Sequence, residues 1–177
     1  MSTQTALIIV DVQSSIVEYC YQGNKVVERI QTLLEKARHA NIPVLFVQHN
    51  EPEGSPLATG TPGWQIHPTL CPHPDEPIIQ KTACDSFFET SLQDELKARS
   101  IDHLVIVGFQ TEYCIDTTCR TAVSHGYEVT LAGDCHSTTD DAVLKAADII
   151  AHHNANLNGL GTPKNIITVK ESREIFE

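Results

Sequence analysis

A cysteine that follows a predicted strand is the residue best suited to do chemistry in this sequence. Cys114 ends the segment 108–114 (GFQTEYC), and the apolar residues 104–107 precede that segment. This pattern is typical of a buried strand, a tight turn and the first turn of a helix. The positive end of the helix dipole favours a thiolate, and N–H groups that the helix has not yet used can hold an oxyanion. The segment therefore predicts a nucleophilic thiol.

Asp11 and Lys81 occupy comparable positions after two other predicted strands. Asp11 directly follows the apolar residues 6–10, and Lys81 follows a short strand predicted at 78–79. The carboxyl ends of parallel strands lie at one edge of a sheet, so these side chains can converge with Cys114. A carboxylate can take the thiol proton, and an ammonium stabilises both anions. Taken singly, Asp11 is also explained as a turn residue and Lys81 as a surface lysine, but together with Cys114 they predict a catalytic site.

Apolar runs and helical periodicities alternate along the chain. They predict strands at residues 6–10, 43–47, 78–79, 104–107, 129–131 and 166–169, and helices around residues 26–37, 88–96, 115–122 and 142–150. This alternation predicts an α/β fold of three layers, in which a six-stranded parallel sheet carries helices on both faces. Residues 1–177 are expected to form a single domain, because no internal repeat or low-complexity segment divides them. No GxGxxG motif follows the first strand, so a dinucleotide site is not expected.

Charge and composition narrow the classes of partner. The 177 residues carry a formal net charge of −11, which argues against binding to nucleic acid. No basic amphipathic stretch indicates a membrane surface, and no apolar run reaches spanning length. The first five residues lack the features of a signal peptide, so a cytoplasmic location is expected. The six cysteines form no CxxC pair, and most are expected to be reduced and buried.

Three separated motifs resemble those of one enzyme family. They are residues 7–13 (LIIVDVQ), residues 80–90 with Lys81, and residues 108–118. On these motifs the chain resembles the isochorismatase-like cysteine hydrolases, and the resemblance extends from about residue 6 to residue 169. The family includes nicotinamidases, N-carbamoylsarcosine amidases, isochorismatases and streptothricin hydrolases. The resemblance implies a Rossmann-like six-stranded sheet, assembly into homo-oligomers and a catalytic triad of Asp11, Lys81 and Cys114.

The resemblance also implies a cis peptide bond between Phe109 and Gln110. Such a bond would turn the N–H of Gln110 toward the N–H of Cys114, and the two would form an oxyanion hole. The predicted reaction is hydrolysis of the C–N bond of a small amide through a thioester on Cys114. Two alternatives stay open. One is hydrolysis of a vinyl ether, as in isochorismatases, which usually lack this cysteine, and the other is a binding or scaffold protein without turnover.

Residues 49–76 form a long loop that contains six of the nine prolines. Loops of this length in a compact domain are usually functional, so a pocket wall or lid is expected, with a decorative insertion as the alternative. Trp64 and Ile66 are the candidate substrate contacts in this loop, although Trp64 also suits a contact between subunits. Gln13 and Glu112 are further candidates for substrate binding because they lie close to the triad in sequence.

A metal site is not expected. Nicotinamidases of the family carry an Asp-x-His motif after the second strand, and residues 48–50 (QHN) stand there in this chain. His67, Cys71 and His73 match no standard zinc spacing. The sequence therefore predicts neither a metal nor another cofactor. The expected partner of the site is a small-molecule substrate.

A Cys/His pair is the remaining catalytic alternative. His136 follows the fifth predicted strand, beside Asp134 and Cys135. A pair of this kind would leave Lys81 without a role, so His136 is expected to be structural or to face the substrate, and the role of Cys135 stays open. Cys119 lies on the apolar face of its helix and is expected in the core.

Overall fold

Six parallel strands form the centre of the fold, and the computed structural model describes residues 4–176. The strands are β1 (Thr5–Val10), β2 (Val44–His49), β3 (Ile78–Lys81), β4 (His103–Phe109), β5 (Glu128–Ser137) and β6 (Ile167–Lys170). The helices are α1 (Ser14–Tyr19), α2 (Gly23–His39), α3 (Leu92–Ala98), α4 (Asp116–Ser124) and α5 (Ala146–Leu157). A π-helical turn at Thr111–Ile115 precedes α4, and a 3-10 turn at Ser172–Glu174 follows β6.

The composition of β1 reflects burial on both faces of the sheet. Ala6, Ile8 and Val10 contribute to one hydrophobic cluster, and Leu7 and Ile9 contribute to a second. Since successive side chains of a strand point to opposite faces, a strand between two layers of helices must be apolar throughout. Helices α3, α4 and α5 supply residues to the first cluster, and α1 and α2 supply residues to the second. The predicted three-layer α/β fold with a six-stranded parallel sheet is confirmed.

The order of the strands places a crevice between β1 and β4. In the sheet the order is β3-β2-β1-β4-β5-β6, and all adjacent strands run parallel. From β1 the chain adds β2 and β3 toward one edge of the sheet. It then returns to the centre, where β4 pairs with β1, and adds β5 and β6 toward the other edge. Open α/β sheets bind ligands at the carboxyl ends of the strands where this reversal occurs.

Gly108 allows β4 to approach β1 closely at this crevice. Its φ is +126°, and a Cβ atom added there would lie 1.9 Å from the carbonyl oxygen of Val10. An L side chain fits neither the backbone conformation nor the space. The close pairing of β1 and β4 therefore explains why residue 108, which begins the 108–114 segment, is glycine.

The start of α3 differs from the prediction for a physical reason. The apolar pattern places Phe88 on the buried face of that helix, but α3 begins at Leu92 and Phe88 is 53% exposed. Phe87 is buried instead, and its ring stacks on the rings of His125 and Tyr127. The prediction for Phe88 was wrong because residues around it form turns, which do not follow helical periodicity.

Three other elements have boundaries that the sequence did not indicate. The short helix α1 was not predicted, and β5 continues to Ser137 rather than ending near residue 131. Helix α5 begins at Ala146 rather than near residue 142, because the Asp140 and Asp141 carboxylates accept backbone N–H groups and hold the preceding residues in turns.

No helix within residues 4–176 combines the length and the apolar character needed to cross a lipid bilayer.

Candidate active site

The ends of three strands bring Asp11, Lys81 and Cys114 into one cluster. Nζ of Lys81 lies 2.7 Å from Oδ2 of Asp11 and 3.1 Å from Sγ of Cys114. Asp11 and Lys81 are almost fully buried, whereas Cys114 is half-buried. The structure therefore brings the three predicted residues together, and Cys114 is the least buried of them.

Asp11 has a left-handed backbone conformation, with a φ of +52°. Its N–H donates to the carbonyl of Val47 in the adjacent strand, and its own carbonyl accepts the N–H of Gln13. For a residue other than glycine this conformation costs about 1–2 kcal/mol, which the surrounding hydrogen bonds offset. Both carboxylate oxygens of Asp11 are buried and lack a hydrogen-bond partner within residues 4–176, although Oδ2 forms the ion pair with Lys81. A carboxylate oxygen is thus available to accept the proton of a thiol.

Cys114 lies in a π-helical turn rather than in the first turn of an α-helix. The N–H of Ile115 closes the turn by donating to the carbonyl of Gln110. The peptide bond between Phe109 and Gln110 is cis. The N–H of Gln110 forms no backbone hydrogen bond in the described part of the chain. Single π-helical turns are frequent at functional sites, where they alter the direction of one side chain.

Burial and the charge of Asp11 favour the protonated form of Cys114. Burial raises the pKa of the Cys114 thiol, the Asp11 carboxylate raises it further, and Lys81 lowers it by less. Desolvation and the neighbouring anion thus act against the helix dipole, which by itself favours a thiolate. Burial also raises the pKa of Asp11, against the lowering effect of Lys81. For Lys81, burial lowers the pKa but the charges of Asp11 and Cys114 raise it overall, so the ammonium stays charged.

His49 is a member of the cluster that the sequence reasoning missed. Its Nδ1 lies 3.1 Å from Nζ of Lys81. Nζ of Lys81 also donates to the carbonyl oxygen of Ala83, at 2.9 Å. The available signal was the position of His49 at the carboxyl end of β2, between the strands that carry Asp11 and Lys81. In the sequence analysis, His49 was considered only as part of the metal motif of nicotinamidases.

The ligand atoms of Asp11, His49 and Cys114 lie within 4.8 Å of one another, which is a spacing compatible with a metal ion. The ammonium of Lys81, however, contacts all three groups. A second cation at this position would be repelled by Lys81 and would have to displace it from its partners. The donor set therefore fits an ammonium better than a metal.

The His67, Cys71 and His73 side chains do not assemble into a metal-type group in the part of the chain described here. Cys71 donates its S–H to the carbonyl of Pro68, and His73 faces Glu76.

Gln13 fastens the long loop to the sheet. Its Nε2 donates to the carbonyls of His49 and Trp64, at 3.0 and 2.8 Å, and its Oε1 accepts the N–H of His49. The side chain is fully buried. The prediction that Gln13 contacts substrate is corrected by this geometry, because backbone groups occupy its amide and a ligand cannot reach it.

The loop forms one wall of a groove that extends to Gln110. A cavity of about 210 Å³ lies between α1 and the loop. Its lining includes Ile16, Tyr19, Glu51, Leu57 and Gln110. The groove is therefore apolar for the most part, and it reaches the residue that precedes the turn carrying Cys114.

Trp64 and Ile66 lie at the base of the loop rather than along this groove in the described structure. Nε1 of Trp64 donates to Oδ1 of Asn50 at 2.6 Å. Ile66 forms a short antiparallel bridge with Gln13 and packs against a core cluster. Both side chains are half-buried, and their contact with a substrate stays a prediction.

Glu112 lies within the π-helical turn, two residues before Cys114. Its Oε1 accepts the hydroxyl proton of Thr138 at 2.8 Å, and its Oε2 is buried without a hydrogen-bond partner among residues 4–176. The free oxygen keeps Glu112 a candidate for substrate binding.

His136 and Cys135 are not arranged as a catalytic pair. His136 is fully buried between Thr111 and Asn154, with hydrogen bonds of 2.9 and 2.8 Å to their side chains. Cys135 is buried, and burial raises the pKa of its thiol. Cys119 is buried in the core, as predicted. His136 therefore supports the turn that carries Cys114, through Thr111.

Comparison with known proteins places these features in a family. A model of the isochorismatase domain matches residues 5–157 of the chain. The chain belongs to the isochorismatase family. A solved structure of another isochorismatase family protein superposes on this member with a TM-score of 0.85 and 33% sequence identity, covering 95% of this chain and 98% of the other.

Curated relatives of this isochorismatase-family protein include two hydrolases. A streptothricin hydrolase from Streptomyces noursei is 36% identical over 138 residues, which are 76% of this chain and 50% of the relative. The chain thus spans about half the length of that enzyme. A ureidoacrylate amidohydrolase from Caulobacter vibrioides is 27% identical over 186 residues, and the match covers 81% of each chain.

Proposed function

We propose that this isochorismatase-family protein is a cysteine hydrolase that cleaves the C–N bond of a small amide through a thioester on Cys114. The observation that carries the proposal is the contact of one buried ammonium with a buried carboxylate and a half-buried thiol. A carboxylate base, a cation and a reachable thiol are the parts that nucleophilic catalysis requires.

The first half of the reaction uses Asp11 as the base. Asp11 takes the thiol proton while Sγ of Cys114 bonds to the amide carbon, and the carbonyl becomes an oxyanion. The N–H groups of Gln110 and Cys114 hold this oxyanion. Lys81 stays charged and stabilises the thiolate as it forms. Burial and the Asp11 carboxylate raise the pKa of the thiol, so in this scheme the proton passes to Asp11 as the attack takes place.

The second half returns each proton. Protonated Asp11 gives its proton to the leaving nitrogen, the C–N bond breaks, the amine departs and a thioester remains on Cys114. Asp11 then takes a proton from water, and the oxygen of that water bonds to the acyl carbon. The C–S bond breaks, the carboxylic acid leaves and the proton on Asp11 returns to the thiolate. The enzyme is thus restored.

Two features favour C–N cleavage over the alternatives. Vinyl ether hydrolysis needs protonation of a carbon and has no use for a nucleophile, so it does not explain a half-buried thiol held beside Asp11. A binding protein without turnover does not explain a buried lysine–aspartate pair, which costs desolvation free energy. The names of the two relatives, a streptothricin hydrolase and an amidohydrolase, support hydrolysis. Homo-oligomers, a cytoplasmic location and the lack of a nucleic-acid partner stay predictions.

The test replaces Cys114 with alanine and measures amine or ammonia release from a panel of small amides. We expect the rate to fall at least about a thousandfold, because the nucleophile is lost. Cys84→Ala is the matched control, since Cys84 is exposed and outside the cluster. Mass spectrometry of wild-type protein quenched during turnover should show an acyl group on Cys114. Undiminished hydrolysis by Cys114→Ala would refute the proposal.

A further inference from the structure

The groove between α1 and the long loop contains a single charged side chain, that of Glu51. No lysine, arginine or histidine of residues 4–176 contributes to its lining. The groove also includes Gln110, whose N–H belongs to the proposed oxyanion hole. A substrate placed for attack by Cys114 would therefore extend along a surface whose one formal charge is negative.

Backbone contacts hold Glu51 at this wall of the groove. Its N–H donates to the carbonyl of Leu57 at 3.1 Å, and its backbone forms a short parallel bridge with Ala58. The hydroxyl of Ser55 donates to Oε2 of Glu51. Within residues 4–176 the exposed carboxylate forms no ion pair. Its charge is therefore available to a ligand in the groove.

Glu51 also lies near the cluster of Asp11, Lys81 and Cys114. It follows the last residue of β2, His49, by two positions. Burial and the charge of Lys81 lower the pKa of His49, whereas the charges of Asp11 and Glu51 act in the opposite direction. Lys81 does not cancel the charge of Glu51, because Oδ2 of Asp11 lies 2.7 Å from its ammonium and the two charges largely offset each other at greater distances. Glu51 thus sets the sign of the charge along the groove.

Tyr19 is a second lining residue that suits a cation. It lies on α1, across the groove from the loop, and is 71% exposed. The face of an aromatic ring attracts a cation within about 6 Å of its centre. A carboxylate on one wall and a phenol ring on the other are groups that together recognise an ammonium.

We propose that Glu51 is a specificity-determining residue, and that the groove selects small amides that carry an ammonium group near the scissile carbonyl. The proposal rests on the proposed function, because it names the substrate class of the same site. Glu51 attracts an ammonium, repels a carboxylate and gives a neutral group no charge interaction.

The first test measures the charge preference without turnover. Three methanethiosulfonates transfer an aminoethylthio, a propylthio or a carboxyethylthio group to a thiol. The transferred sulfur bonds to Sγ of Cys114, the S–S bond of the reagent breaks, methanesulfinate leaves and the thiol proton passes to water. Mass spectrometry gives the rate at Cys114, which is divided by the rate at the exposed Cys84 of the same molecule. We expect this relative rate to be at least about fivefold higher for the aminoethyl than for the carboxyethyl reagent.

Glu51→Gln removes the charge and keeps the shape of the side chain. The ratio of the aminoethyl to the carboxyethyl rate should fall roughly fivefold. Glu53→Gln is the matched control, on an exposed glutamate of the same loop that does not line the groove, and its ratio should stay within about twofold of wild type because solvent screens that charge. Tyr19→Leu should slow the aminoethyl reagent about threefold and leave the ratio of the other two unchanged. Thermal unfolding checks that each variant is folded.

The second test uses the same series of charges in amides. Ammonia release gives kcat/KM for β-alaninamide, butyramide and succinamate, whose chains end in an ammonium, a methyl and a carboxylate group. We expect the highest value for β-alaninamide, and Glu51→Gln should lower that value roughly fivefold while the value for butyramide stays within about twofold.

Two results would overturn the proposal. They are a charge ratio that Glu51→Gln leaves unchanged, and equal falls in the ratio for Glu51→Gln and Glu53→Gln. Hydrolysis that survives Cys114→Ala would instead refute the proposed function, and the methanethiosulfonate rates of the wild type and of Glu51→Gln would still decide the role of Glu51.

Discussion

Asp11 has two opposite effects on Cys114, and both follow from its position at the end of β1. As a base, it provides the buried oxygen that can accept the thiol proton. As an anion, it raises the pKa of the same thiol. In the proposed reaction the thiol proton therefore passes to Asp11 during the attack, and Lys81 stabilises the charges that form.

Asp11→Asn separates these two effects. We expect amide hydrolysis to be lost, because an amide cannot take the thiol proton. Alkylation of Cys114 by iodoacetamide at about pH 7 should become roughly tenfold faster, because the anion that raised the thiol pKa is gone while Lys81 remains. Asparagine tolerates the left-handed backbone of Asp11, so the fold should persist. Asp75→Asn, on an exposed aspartate, is the control, and slower alkylation in Asp11→Asn would contradict this account.

At the scale of elements, the site depends on how closely β4 approaches β1. The pair Val10 and Gly108 stands at the end of that ladder, directly before Asp11 and the cis bond. The π-helical turn then sets the position of Cys114, and His136 supports the turn from β5 through Thr111. On the other side, Gln13 holds the loop wall in place. The candidate catalytic residues are therefore held in place by backbone and side-chain contacts between neighbouring elements.

Gly108→Ala tests the close approach. We expect a loss of at least about 3 kcal/mol in the free energy of unfolding, because the new methyl group would overlap the carbonyl of Val10. Gly126→Ala is the matched control: its φ is +94° and no atom lies within 4 Å of the added Cβ. That variant should lose only about 1 kcal/mol, from the backbone conformation alone. Urea unfolding measures both, and equal losses would show that overlap with β1 is not the cause.

For the molecule as a whole, burial of neutral histidine links stability to pH. His136 is fully buried between two hydrogen-bond partners, and burial lowers its pKa to about 4 from the ordinary value of 6.5. Between these values the unfolded chain binds a proton that the folded protein does not. His136 therefore destabilises the fold progressively as the pH falls from about 6.5 to about 4, and has no such effect above that window.

His136→Asn should remove this contribution. Between about pH 6.5 and pH 4 the free energy of unfolding of wild type should fall by up to about 3 kcal/mol more than that of the variant, which follows from the size of the pKa shift. Urea unfolding across this pH range measures the difference. His152→Asn, on an exposed histidine, should keep the wild-type slope. A variant slope equal to that of wild type would show that His136 is not the group responsible.

Much of this protein follows from local patterns of sequence. Apolar strands alternating with helical periodicities determine a parallel sheet, and parallel strands bring their carboxyl ends to one edge. The convergence of Asp11, Lys81 and Cys114 therefore follows from the sequence by itself. The glycine at 108 is also visible in the sequence, although its steric reason is visible only in the pairing of β1 and β4.

Other features depend on contacts between residues that are distant in sequence, and only the tertiary structure decides them. Gln13 is a loop anchor rather than a substrate contact because the backbone of the loop reaches its amide. His49 joins the cluster because β2 lies between β1 and β3. The pKa of Cys114 is raised by burial and by Asp11. The local sequence indicates a helix dipole, but it contains neither the desolvation nor the distance to a charge 103 positions earlier.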